Sequence, residues 1–435
     1  MVGARHLLTV TDSHTAEDRP LPPVGLYVHV PFCVSLCPYC DFVVLTGRAA
    51  VGPSNRMAEL VSALHVELDL RADLAEAAFS QRAPLTSVYL GGGTPSLLSA
   101  VQVGALLDHV ARRFGIGDQA EVTLEANPGP TELGDLDGFR AAGVTRLSLG
   151  AQSLQPTELR RLGRRHQAAD VAAAVGRARA AGFASLSLDL LTDIPGQTLE
   201  TWDSTLDMAL ALEPDHLSIY LLTLEDPEVD GLTTLDGDHL PVRPGARRWR
   251  TAAAAAQDED RGAAMDERTD ERLRRAGLAR YELSNHARTG HESRHNLAYW
   301  RRLPVEAIGP GAHAFDGART RRWNAARLDR YLAALLPADS GQAAALPPGG
   351  TESIDARTAR AESTILALRL TRGIDAAALT DPESGPGLSW AVDADLVRAV
   401  GDRLVLSPRG RMLSNEVFSR LLPDAPAAPA ARAVG

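Results

Sequence analysis

Cysteine is almost missing from this chain: its 435 residues hold three, Cys33, Cys37 and Cys40, and none elsewhere. A secreted cystine framework is thereby excluded, because no distant partner exists for a disulfide. An excess of basic charge is lacking too. The 55 acidic side chains outnumber the 45 basic ones, for a formal net charge of −10. That argues against nucleic acid as a main partner, since phosphate binding needs basic surface. The basic cluster Arg160, Arg161, Arg164 and Arg165 stands among acidic neighbours and reads as a solvated helix face. No apolar run approaches the ~20 residues of a membrane span. The first residues include Arg5 and several acidic positions, without the apolar stretch of a signal peptide. The expectation is a cytoplasmic protein with reduced thiols and no transmembrane segment.

What the chain does have is apolar residues, 45% of the total, enough for a sizeable core and two or three domains. Short β-branched or aliphatic runs at 26–30, 87–91, 121–126, 146–151, 185–191 and 216–222 alternate with longer stretches such as 56–80, 98–114 and 156–181. The latter are rich in Ala, Leu, Glu and Arg with helical periodicity. Repeated strand–helix units predict an α/β fold of parallel strands with right-handed crossovers, open or closed into a barrel. Residues 1–24 read as a flexible leader, 25–225 as the strand–helix body, and 226–337 as an excursion followed by a motif-rich segment packing on that body. Residues 338–352, which include Pro347-Pro-Gly-Gly350, read as a linker. Residues 353–422 read as a small, mainly helical domain with a hairpin around Leu404–Leu406, and 423–435 as a disordered Ala/Pro-rich tail.

The three cysteines share one short loop, Cys33-Val-Ser-Leu-Cys37-Pro-Tyr-Cys40. Soft thiolates so spaced suit a metal or an iron–sulfur cluster. Structural zinc normally takes four protein ligands, whereas a cubane held by three cysteines keeps one iron open for a small molecule. A loop of unligated thiols is the plain alternative. Cys-x-x-x-Cys-x-x-Cys after a short strand resembles the signature of the radical S-adenosylmethionine (SAM) family. With its flanks, Tyr27-Val-His-Val-Pro-Phe-Cys33 and Cys40-Asp-Phe42, it resembles the branch related to oxygen-independent coproporphyrinogen III oxidase. The resemblance implies a partial (β/α)6 barrel of the TIM type. It also implies a [4Fe–4S] cluster on Cys33, Cys37 and Cys40, SAM chelated by the open iron, and a 5′-deoxyadenosyl radical as the product of SAM cleavage.

The unusual residues fall where a barrel would gather them. The cysteine loop follows the first strand, Gly91-Gly-Gly-Thr94 follows the second, Glu125 closes the third, Gln152 lies beyond the fourth, and Asp189 sits late in the fifth. All then meet at the carboxyl face, where parallel barrels carry their chemistry, although each alone could be a helix cap. Glycine lets a backbone approach a ligand closely, and an ionised Glu125 only accepts hydrogen bonds. The resemblance implies SAM contacts at Tyr27, Tyr39, Gly92, Gly93, Thr94, Glu125, Gln152, Arg164 and Asp189, with Arg164 on the SAM carboxylate. One departure is Asp189-Leu-Leu-Thr-Asp-Ile-Pro-Gly-Gln197, where relatives carry an aromatic–glycine pair in place of Thr192-Asp193. Aspartate accepts positive φ less readily than glycine, so an altered turn is expected there.

The second informative string is His295-Asn-Leu-Ala-Tyr-Trp300. As a helix turn it places His295 and Tyr299 on one face. An imidazole beside aromatic surface can ligate heme iron, and on pattern alone a packed, hydrogen-bonded histidine is the simpler reading. The string resembles the heme-binding motif of the heme chaperones called HemW, which implies heme held by His295, Tyr299 and Trp300. Gly309-Pro-Gly-Ala-His313 and Tyr281-Glu-Leu-Ser-Asn285 match the same group, whereas Ser293 stands where relatives often have cysteine. The implied partners are heme and heme-accepting proteins, membrane-associated respiratory enzymes among them, with a homodimer allowed. True coproporphyrinogen oxidases carry a fourth cysteine two positions after the third; here that position is Phe42. Oxidase and methyltransferase activities are therefore the rivals, and a heme chaperone is the expectation.

Overall fold

The computed structural model describes residues 19–423 apart from 225, 230, 339 and 340, so most of the leader and nearly all of the tail lie outside the described residues. Six parallel strands, β1 (Gly25–Val30), β2 (Leu85–Gly92), β3 (Ile116–Ala126), β4 (Arg146–Gln152), β5 (Ser185–Thr192) and β6 (His216–Leu221), lie side by side in chain order. The helices between them are α1 (Met57–Ala78), α2 (Ala100–Arg113), α3 (Leu136–Ala141), α4 (Pro156–Arg161), α5 (Ala168–Ala180) and α6 (Leu199–Ala211). The result is a partial (β/α)6 barrel. Side chains alternate along each strand. Leu26, Val28 and Val30 of β1 and Val88 and Leu90 of β2 are fully buried in the same core as Leu60, Leu64 and Leu68 of α1. Burying each such side chain stabilises the fold by about 1.5–3 kcal/mol. The alternate positions, including Tyr89, Glu125, Arg146, Ser148, Asp189 and Ser218, line a polar lumen, unlike the branched apolar layers that fill a closed TIM barrel.

The stretch 156–181, which reads as one helix, is broken. Gly163 ends α4 with φ +69°, a left-handed conformation that glycine adopts without a Cβ penalty. The chain turns inward there and brings Arg164 to the cysteine loop.

Both barrel edges are extended. Beyond β6 lie α7 (Pro244–Ala254), α8 (Glu259–Arg275) and the antiparallel pair β7 (Ala279–Arg280) and β8 (Asn285–Ala287), with β8 on β6. The helix α9 (Arg294–Trp300) then leads to β9 (Val305–Ile308), which runs parallel to β1 at the opposite edge. Ala287 pairs with His216 at the start of β6, and Val305 pairs with Gly25 at the start of β1. The helix α9 therefore crosses beneath the amino ends of the strands and floors the barrel.

Strands β10 (His313–Phe315), β11 (Thr320–Asn324) and β12 (Gly349–Ser353) complete a twelve-stranded sheet, with α10 (Leu328–Leu335) packed on α1. The end of the expected linker is thus an edge strand. A Cβ on Gly350 would lie 2.0 Å from the Trp323 ring, so the glycines serve close strand approach here and not looseness. The carboxyl-terminal domain comprises α11 (Ala356–Arg369), α12 (Gly385–Asp393), α13 (Pro408–Met412) and α14 (Ser414–Leu421). Its three-stranded sheet has β15 (Arg403–Leu406) between β13 (Ile374–Asp375) and β14 (Val397–Val400), over a separate core that includes Leu368, Leu388, Leu404 and Val417. Among the described residues, no helix is long and apolar enough to cross a membrane.

Candidate functional site

The cysteine loop leaves β1 and is pinned at its base, where the Cys33 amide donates to the Leu45 carbonyl at 3.0 Å and the Leu45 amide to the Pro31 carbonyl at 2.6 Å. His29 Nε2 lies 2.9 Å from the Val43 carbonyl oxygen. The cysteine-bearing part is clamped by Arg250 of α7. Its Nε donates to the Pro38 carbonyl at 3.1 Å, and its Nη2 to those of Tyr39 at 3.1 Å and Cys40 at 2.8 Å. The neighbouring Trp249 ring lies 6.4 Å from that of Tyr39.

All three thiols line one cavity of about 600 Å³. Cys33 Sγ lies 3.1 Å from Thr94 Oγ1, which also accepts from Asn127 Nδ2 at 3.0 Å. Arg164 Nη1 lies 3.6 Å from Cys37 Sγ, while its other arm holds Asn127 and the Gly150 carbonyl. Burial pushes the Cys33 thiol up to about 12 and raises Cys40 likewise, with Cys37 adding to both. Thiolates gathered this closely persist together only when metal offsets their charge. Among the described residues, no three His, Cys, Asp or Glu side chains gather around a single ion position. The donor set suits an iron–sulfur cluster, whose charge is spread over several irons.

The carboxyl ends of the strands supply the next ring. A Cβ on Gly92 (φ +106°) would lie 2.4 Å from the His29 ring, and one on Gly93 2.7 Å from the Phe32 carbonyl oxygen, so only glycine fits this close approach. Glu125 accepts from the Tyr89 hydroxyl at 2.7 Å and the Gly92 amide at 3.0 Å, and burial raises its pKa to about 7. Asp189 accepts from Ser148 at 3.1 Å and Ser187 at 3.2 Å, and burial raises it too. Tyr39, Gly92, Gly93, Glu125, Gln152, Arg164 and Asp189 thus line the cavity together with the three cysteines. Thr94 stands behind Cys33. Tyr27 is not part of the lining: its hydroxyl lies 3.0 Å from His29 Nδ1 and its ring stacks on Tyr89 at 6.1 Å, one layer below the rim.

The turn with Thr192 and Asp193 places a non-glycine residue in the left-handed region. Asp193 holds φ at 57°, and its carboxylate takes Arg261 Nε at 2.8 Å and the Asp258 amide at 3.2 Å, tying the start of α8 to the barrel. Thr192 Oγ1 donates to the Tyr220 carbonyl at 3.3 Å.

His295, Tyr299 and Trp300 lie apart, in the floor. Glu121 of β3 receives the amides of Arg294 at 3.1 Å and His295 at 3.3 Å. The His295 ring is 1% exposed and stacks on Tyr89 at 5.1 Å. Its Nδ1 is 3.0 Å from Ser87 Oγ and its Nε2 3.1 Å from Tyr299 Oη. Burial lowers its pKa to about 3. In this arrangement it is a packed histidine with both nitrogens engaged, and an iron could reach it only by displacing one of those partners. The guanidinium of Arg369 from α11 sits 4.1 Å above the Trp300 ring, and it is Asn296 of α9 that faces the cavity. Arg250, Asn127 and Arg146 are functional candidates that sequence reading passed over. Arg250 sits in the stretch read as a variable excursion, whereas a charge facing inward from an otherwise apolar strand was the available signal for Arg146.

Comparison with known proteins agrees with this geometry. The family described as the Radical SAM superfamily matches residues 27–209. The heme chaperone HemW of Mycobacterium tuberculosis is 39% identical over 406 residues, covering 93% of this chain and 96% of that protein. HemW of Bacillus subtilis is 31% identical over 91% of this chain and 98% of that one, and HemW of Escherichia coli 37% identical over 67% and 70%. Among solved structures, coproporphyrinogen III oxidase (HemN) of Escherichia coli, a radical SAM enzyme, superposes with a TM-score of 0.73 over 94% of this chain and 91% of that chain. Its identity of 22% is a likeness of fold. The chain belongs to the radical SAM superfamily and, within it, to the family of the HemW heme chaperones.

Proposed function

We propose that this protein is a heme chaperone, binding heme together with a [4Fe–4S] cluster and SAM and passing the heme to acceptor proteins. The observation that carries this reading is 39% identity to a heme chaperone along 93% of the chain. Phe42, 64% exposed at the position of the oxidase's fourth cysteine, supports it. Cys33, Cys37 and Cys40 are the proposed cluster ligands. When bound, the cluster supplies the electron that cleaves SAM. Gly92 and Gly93 let the backbone approach SAM, Glu125 accepts from its ammonium or ribose hydroxyls, and Arg164 neutralises its carboxylate. Gln152 and Asp189 complete the ring, and Tyr39 packs beside it. The proposed heme segment is His295–Trp300, with His295 as iron ligand once Tyr299 yields Nε2. Acceptors in this reading include membrane-associated respiratory enzymes reached from the cytoplasm.

The test is anaerobic reconstitution followed by a heme titration, with coproporphyrinogen III supplied alongside SAM and a reductant in a parallel assay. Saturable heme uptake without protoporphyrinogen IX above background supports the chaperone. Turnover of the porphyrinogen without heme uptake would establish the oxidase instead.

A further inference from the structure

Among the described residues, one buried guanidinium in the lumen makes neither a hydrogen bond nor an ion pair. Arg146 opens β4 and is 3% exposed. Its Nε is buried without a hydrogen bond, and among the described residues it forms no ion pair. Arg164 and Arg250, by contrast, are engaged, Arg164 on Asn127 and Gly150 and Arg250 on the cysteine loop, and Arg165 stands exposed at the rim. The nearby carboxylates are committed as well. Glu121 takes the amides at the start of α9, Glu125 takes Tyr89 and Gly92, and Asp189 takes three serine hydroxyls. Burial opposes the charge on Arg146, while Glu121 and Asp189 favour it from beyond ion-pair distance and the pKa remains raised. A buried guanidinium retained in this way is a fork of donors without its acceptor.

The depth of this site separates it from the cysteine loop. Arg146 is in register with Thr123 of β3 and Ser185 of β5. It precedes Gly150, where Arg164 binds, by four residues, roughly 13 Å along a strand. The wall between them is polar: Ser148 and Ser218 face the cavity with the hydrogen-bonded carboxyls of Glu125, in register with Ser148, and Asp189, in register with Ser218, and Asn296 of α9 closes it from below. We propose that Arg146 is the receptor for a carboxylate carried by a molecule lying in the lumen beneath the SAM position, both oxygens being taken by the guanidinium fork. This rests on the heme-chaperone reading for the identity of that molecule: a tetrapyrrole propionate is the carboxylate on a flexible arm which that reading supplies. The carboxylate of SAM offers the same chemistry from a shallower position.

Binding of three probes, heme, heme dimethyl ester and SAM, to the anaerobically reconstituted full chain and to its Arg146→Gln and Arg146→Lys variants tests the proposal. The wild type is expected to bind heme at least ten-fold more tightly than the ester. Arg146→Gln should lose that preference, Arg146→Lys should retain part of it, and SAM affinity should be equal in all three. A ten-fold loss of SAM affinity with heme unaffected would uphold the carboxylate receptor and assign its ligand to SAM. No preference for heme over ester in the wild type, together with unchanged SAM affinity in the variants, overturns the proposal. The ester comparison uses the wild type and does not depend on a variant folding. A wild type that takes up no heme defeats the heme-chaperone reading, and the SAM arm then decides the role of Arg146 by itself.

Discussion

His295 Nε2 lies 3.1 Å from the hydroxyl of Tyr299, one turn further along α9. The imidazole is neutral, with burial lowering its pKa to about 3, and neutral imidazole is the form that binds iron. Iron could therefore bind Nε2 only in place of its contact with the Tyr299 hydroxyl.

If His295 ligates heme, removing the competitor should help. Tyr299→Phe is expected to bind heme several-fold more tightly, because a net hydrogen bond of about 1 kcal/mol no longer has to be broken. His295→Ala should lose the axial-ligand signature in the heme spectrum while the cluster absorbance stays. Unchanged heme spectra in both variants would leave His295 as a floor residue, with lowered melting temperature as its only phenotype.

The cysteine loop carries a second prediction. Reconstituted protein should hold about four irons per chain, as one cubane requires, and replacing Cys33, Cys37 and Cys40 together by Ala should abolish both iron and visible absorbance. The chain has no other thiol to substitute, so a cluster surviving in the triple variant would contradict the ligand assignment.

Arg250 should matter for cluster lifetime more than for cluster formation. Each of its bonds to the loop carbonyls is a charged-donor bond, worth about 1.5–3 kcal/mol. Arg250→Ala is expected to accept iron during reconstitution but to lose it to a chelator at least about ten-fold faster, with Arg250→Lys intermediate. Bleaching kinetics at equal initial iron content measure this; equal rates would remove Arg250 from the account.

Glu125 predicts a pH dependence. Its folded pKa of about 7 exceeds the ordinary 4.5, so between those values the folded state binds the proton more strongly. Its contribution favours folding on the acid side and is lost as pH rises through 7, by up to about 3 kcal/mol. Glu125→Gln should therefore be the more stable protein at pH 8. SAM affinity should behave oppositely, falling in the wild type between pH 8 and pH 6 and staying flat in the variant. Calorimetric titrations giving parallel pH profiles for the two proteins would refute the placement.

Asp193 separates backbone strain from ion pairing. Asp193→Ala loses the bond to Arg261 at a position 4% exposed, a loss of about 3 kcal/mol or more. Asp193→Gly loses the same pair but relieves a left-handed backbone worth about 1–2 kcal/mol, so it should melt above the Ala variant. Identical melting temperatures would mean that φ is not strained there.

Strand positions were legible in the sequence because alternation of apolar residues with period two survives even where the inward face is polar, as along Leu26, Val28 and Val30. The rim residues were legible from their places at strand ends. The stretch 156–181 was not, since its composition is helical throughout and only Gly163 marks the break. Residues 349–352 looked like part of a linker because Pro-Pro-Gly-Gly signals a turn, whereas the glycines accommodate Trp323. That Tyr27 stacks on Tyr89 below the rim was not legible, because its distance along the chain from Cys33 does not reveal that the loop rises away from β1. Arg250 could not be found at all, since its partners are backbone carbonyls more than 200 residues away.

The most direct measurement is a heme titration of the anaerobically reconstituted, SAM-bound protein, followed at the Soret band with iron and SAM content determined on the same sample. The account predicts saturation at one heme per chain with cluster and SAM retained. Heme absorbance that never saturates, or that rises only as the cluster is lost, would contradict it.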